Sequence, residues 1–176
     1  MKKLLVVLVA LVAVVSLAAC NKEKEYKLGM GVVVSTASSA AGNAQVDATV
    51  AAVVTDEEGK IVVARIDVAQ NKVAIAETGE LTIPTKFETK MELGTRYGMA
   101  GKVDNDGDGV KLEWYVQSLA FSKHVVGMTS AEISAMTTQT KNNHEITTDA
   151  DLLAAGCSMQ ITGLRDVIAK AATNVR

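Results

Sequence analysis

The sequence predicts an α+β domain: an antiparallel sheet built on a central hairpin, with helices packed toward one side. Three observations carry that expectation. Residues 45–52 alternate apolar and polar with period two, and residues 61–68 form a second strand-like run beyond the turn Asp56-Glu57-Glu58-Gly59-Lys60. Near the end of the chain, Leu164, Val167, Ile168, Ala171 and Ala172 repeat at the i, i+3, i+4, i+7, i+8 spacing of a helix face. A composition rich in Ala, Val and Thr, with one proline and few aromatic residues, makes a core of small and β-branched side chains, which favours sheet.

The elements follow in order. Met1-Lys2-Lys3 is a short cationic start, residues 4–17 are apolar apart from Ser16, and Leu17-Ala18-Ala19-Cys20 is a lipoprotein cleavage box. The apolar run is shorter than the roughly 18 residues of a spanning helix. Residues 1–19 therefore read as a signal peptide, Cys20 as the lipidated first residue of the mature chain, residues 20–28 as a tether and residues 29–176 as a single domain. That reading places the protein on the extracytoplasmic face of the cell membrane, with the membrane as a partner through the lipid. Losing Lys2 and Lys3 makes the formal net charge of −2 more negative, which argues against nucleic acid as a partner. With Cys20 acylated, Cys157 has no intramolecular partner; one thiol and two distant histidines do not make a zinc site.

Within the domain, residues 27–35 read as a first strand and residues 36–43 as a small-residue loop. In the next strand Val46, Ala48, Val50 and Ala52 are the expected inward set. Residues 71–75 and 80–83 read as further short strands, and residues 89–97 as one helical turn closed by Gly98. A helix is expected over residues 112–126, with Leu112, Tyr115, Val116, Leu119 and Val126 on its apolar face and Gly127 as its stop. Thr129-Ser130-Ala131-Glu132 is a capping box for a second short helix. Residues 137–147 are polar and expected to be exposed.

Two stretches carry candidate chemistry. In Asp104-Asn105-Asp106-Gly107-Asp108-Gly109 the acids and Gly109 match positions 1, 3, 5 and 6 of a calcium loop, where alternate carboxylates converge on a hard cation. Position 12, ordinarily a bidentate glutamate, is Tyr115, so Glu113 or water has to complete the shell. The second stretch is Ala155-Gly156-Cys157-Ser158, just ahead of the C-terminal helix. Here Gly156 allows a backbone to approach a phosphate, Ser158 offers an oxygen, and the helix beginning near Thr162 can turn its amides toward an anion.

This second stretch, with the hairpin ahead of it, resembles the FMN-binding domain of bacterial extracytoplasmic flavoproteins, in which a serine-glycine-alanine-threonine motif precedes an amphipathic helix. The resemblance implies an FMN-binding-domain-like fold, FMN as cofactor, and electron transfer to a redox partner protein. Only Gly156 keeps the family residue: Ala155 stands for serine, Cys157 for alanine and Ser158 for the threonine that accepts flavin. Residues 89–98, Trp114-Tyr115-Val116-Gln117, residues 123–129 and Asp149-Ala150-Asp151-Leu152 resemble segments of uncharacterised lipoproteins of anaerobic Gram-positive bacteria. Two functions therefore stand side by side: a flavin-binding redox lipoprotein, and a non-enzymatic envelope lipoprotein with a structural or partner-binding role.

Overall fold

The structure, a computed structural model, describes residues 24–176. It is α+β, with a four-stranded antiparallel sheet in the order β1-β2-β3-β4. Strand β1 (Lys27–Ser35) pairs with β2 (Asn43–Thr55), which pairs with β3 (Ile61–Ile75), and β4 (Leu81–Thr82) is a two-residue edge on the end of β3. The lipidation box with Cys20 lies outside the described residues. Strand β1 has the bounds expected of the first strand, so Lys27 and Leu28 of the span read as tether already belong to the sheet.

Residues 56–60 turn the chain between β2 and β3 as expected, with Asp56 Oδ1 accepting from the Glu58 and Lys60 amides. The runs 61–68 and 71–75 are one continuous strand, not two. The face of β2 also differs from the expectation. Ala51 and Val53 are buried, whereas Val46 is 41% exposed, so the odd-numbered residues face the core. The reason lies in the neighbours: Gly29 and Gly31 of β1 sit in register with Val53 and Ala51, and the C-terminal helix lies directly on these two glycines. A Cβ on Gly29 would stand 2.1 Å from the Ala171 carbonyl oxygen, and one on Gly31 2.5 Å from that of Val167. Only a strip of glycine and alanine lets a helix backbone come so close, and that strip sets the phase of the sheet.

The helices begin with α1 (Lys90–Leu93), capped by Thr89 and Glu92 in a reciprocal box and followed by a 3-10 turn over Gly94–Tyr97. Helix α2 (Trp114–His124) buries Trp114, Gln117, Ser118, Phe121 and Ser122. The expected face is thus the outer one: Tyr115, Val116 and Leu119 are half-buried and Val126 is exposed. The two aromatic rings turn inward, and the small serines let the helix settle against β3. Helix α3 (Ser130–Ser134) starts at the Thr129/Glu132 capping box and carries Ile133 into the core. Residues 137–147 contain a hairpin, β5 (Thr138–Lys141) and β6 (His144–Thr147), turned by Asn142 and Asn143 at φ 50° and 63°. Its Ile146 and Thr147 are fully buried, so the segment is not the exposed stretch its polarity suggested. Helix α4 (Ala150–Ala154) is capped by Asp149, and α5 (Thr162–Thr173) buries Leu164, Val167, Ile168 and Ala171 as its periodicity requires. No helix among the described residues is long and apolar enough to cross a membrane.

Candidate functional site

The two candidate stretches, some fifty residues apart in sequence, meet in the fold. Asn105 is buried, and its amide donates to the Ser158 carbonyl oxygen at 2.9 Å. Gly156 presses on Leu112 and Val110 from the acidic side. The junction is organised by Gln117, which is fully buried on α2. Its Oε1 accepts from the backbone amides of Ser158 (3.0 Å) and Met159 (2.8 Å), while its Nε2 donates to the Leu112 carbonyl at 2.9 Å. Sequence reasoning missed Gln117 because a polar residue on a helix gives no sign of which distant amides it will satisfy.

On one side of this junction lies the acidic loop. Asp104 Oδ1 accepts from the Gly107 amide and Asp108 Oδ1 from the Val110 amide, the tight turns that fold alternate carboxylates toward one another. Gly107 and Gly109 adopt φ 81° and 85°, a left-handed conformation that glycine takes without strain. One carboxylate oxygen from each of Asp104, Asp106 and Asp108 lies within 4.8 Å of the other two. Asp106 Oδ1 is buried and has no hydrogen-bond donor among the described residues. Glu113 does not join them; its Oε2 accepts from the Met99 amide at 3.0 Å.

On the other side, the loop around Gly156 is interior. Ser158 is 2% exposed, and its hydroxyl has no partner among the described residues. Cys157 is fully buried; burial pushes its thiol up to about 12, and the Asp106 carboxylate acts in the same direction. Such a thiol is no nucleophile near neutral pH. Thr162 is the first residue of α5, and its hydroxyl accepts from the Gln160 side chain.

A pairing absent from the sequence reading is His124 with Asp149. His124 Nε2 lies 3.4 Å from Asp149 Oδ2 without forming a well-directed hydrogen bond. They border a cleft of about 210 Å³ shared with Thr147 and Thr148. No local spacing signals a contact between the end of α2 and the cap of α4. Neither a family model, nor a curated protein, nor a solved structure matches the chain.

Proposed function

We propose that this chain is a non-enzymatic lipoprotein domain held on the extracytoplasmic face of the cell membrane through Cys20, with a partner-binding or structural role and a calcium ion taken by residues 104–109. The observation that carries the calcium assignment is the convergence of one oxygen each from Asp104, Asp106 and Asp108 within 4.8 Å, beside a buried Asp106 Oδ1 that has no donor among the described residues. Calcium binds oxygen at about 2.3–2.6 Å, so ligands on opposite sides of one ion stand about 5 Å apart, which accommodates this cluster. A buried carboxylate oxygen with no donor is costly, and a cation offsets that cost. Three carboxylates without a glutamate at position 12 leave the remaining coordination to water, which points to the weak range of about 10⁻⁴–10⁻³ M typical of extracellular modules.

The lipid anchor rests on Leu17-Ala18-Ala19-Cys20. Membrane fractionation and acyl labelling of Cys20→Ala test it: loss of label and release from the membrane support the anchor, and unchanged association contradicts it. Calorimetric titration of the unsubstituted protein and of Asp106→Asn tests calcium: heat of binding only in the former supports the site, and no heat in either removes it.

The competing proposal, a flavin-carrying redox lipoprotein, is favoured by Gly156 at φ 82°, a conformation suited to close backbone approach. Against it, a Cβ on Gly156 would stand 2.4 Å from Leu112 Cδ1, so side chain already fills the space beside the glycine, and the Ser158 hydroxyl lies inside. Coexpression with a flavin transferase decides the covalent version: an added FMN mass that vanishes in Ser158→Ala supports flavin.

A further inference from the structure

We propose that Lys170 of α5 holds the edge of β1 closed against strand addition by a second copy of this chain. Strand β1 is outermost in the sheet, and its register with β2 runs from Lys27 to Ser35 without a shift. In an antiparallel ladder the backbone groups of alternate residues point to the neighbouring strand, and those of the residues between point away from it. The Leu28 amide donates to the Arg176 carbonyl and the Leu28 carbonyl accepts from the Arg176 amide, so Leu28 points outward. Met30, Val32 and Val34 therefore point outward as well, and their amides have no backbone partner among the described residues. The side chains of all three are exposed and apolar. An outermost strand of this kind is a template for another strand.

Helix α5 reaches over this edge. Its backbone lies against Gly29 and Gly31, close enough for its side chains to pass around β1. Asn174 Nδ2 lies 3.5 Å from the Met30 carbonyl oxygen, and Lys170 Nζ donates to the Val32 carbonyl at 2.8 Å. Lys170 is itself exposed and belongs to no ion pair among the described residues. Its ammonium is directed to a strand carbonyl instead of to a carboxylate.

The occupant that fits the edge is β1 of a second copy. Arg176 takes the Leu28 rung, and the remaining rungs, Met30, Val32 and Val34, are symmetric about Val32. Antiparallel pairing on a two-fold axis at Val32 sets Val32 against Val32, and Met30 against Val34 of the other copy, with about six backbone hydrogen bonds. Lys170 stands at the rung on that axis. The pairing would bring the two ammoniums to about the 4.8 Å strand spacing and take from each its carbonyl acceptor, so charge and the lost hydrogen bond both oppose it. A lysine on the edge is one of the means by which sheets avoid pairing with one another. This inference rests on neither the calcium ion nor the lipid.

Native mass spectrometry of the full chain, released from detergent over a series of concentrations, tests it. Lys170→Ala should dimerise at a concentration about tenfold below that needed by the unsubstituted chain, and Lys170→Arg, which keeps a cation and a donor, should not. Adding Val32→Pro to Lys170→Ala removes the outward amide on the axis and no bond to β2, and should return the chain to monomer. Met30→Pro, which also removes an outward amide, takes its place should that variant not fold. Dimerisation of Lys170→Ala no greater than that of the unsubstituted chain overturns the proposal, including where the variant only loses stability. A dimer that persists with the proline lies away from the edge and overturns it as well.

Discussion

The acidic loop and the Gly156–Ser158 loop are neighbours joined by a hydrogen bond from Asn105 to the Ser158 carbonyl, yet their polar groups are satisfied in different ways. In the acidic loop the backbone amides of Gly107 and Val110 fold carboxylates toward one another at the surface. Around Ser158 the amides are consumed by Gln117 and the side chains are interior. Each loop keeps one buried polar atom with no partner among the described residues, Asp106 Oδ1 in the one and the Ser158 hydroxyl in the other. Gly107 and Gly156 share the same left-handed backbone and do different work.

The contrast can be broken from the structural side first. Replacing Gln117 with Ala strands the Ser158 and Met159 amides and leaves a cavity, and should cost about 2–5 kcal/mol in denaturant unfolding. A loss below about 1 kcal/mol would mean that water reaches these amides and the loop is open.

Cys157 gives the next effect, with a defined sign. Its pKa in the fold is raised from 9.0 to about 12 by burial, so the folded state holds a proton that the unfolded chain releases. The contribution is complete below the unfolded value and is lost as pH rises through the window from 9.0 toward 12. Stability should fall by about 2–3 kcal/mol by roughly pH 11 relative to Cys157→Ala, and native protein should resist thiol reagents at neutral pH.

A smaller loss, about 1–3 kcal/mol, is expected of Gly156→Ala, which meets Leu112 at 2.4 Å in a left-handed conformation. The smallest belongs to the other loop: Asp108→Asn should change stability without metal by no more than about 0.5 kcal/mol while removing the response to calcium.

Legibility in the sequence followed the range of the determining contacts. The α5 face and the Thr129/Glu132 box were readable because a helix face and a cap are set within a few residues. The turn-forming acids of residues 104–109 were readable for the same reason. The phase of β2 was not, because apolar residues occur on both its faces and the choice is made by Gly29 and Gly31 beneath α5. The buried side of α2 was likewise decided by Trp114 and Phe121 packing inward and by Gln117 reaching residues 158 and 159. The motif around Ser158 showed its residue types but not its burial, which depends on α2 and on Asn105.

Thermal and denaturant unfolding of the same protein with chelator, with about 10 mM calcium and with excess FMN tests most directly which loop binds. At the expected affinity calcium should stabilise the fold by about 1.4–2.7 kcal/mol, the gain should vanish in Asp106→Asn, and FMN should leave unfolding unchanged. Stabilisation by FMN, together with a calcium response no different in Asp106→Asn, would contradict the assignment.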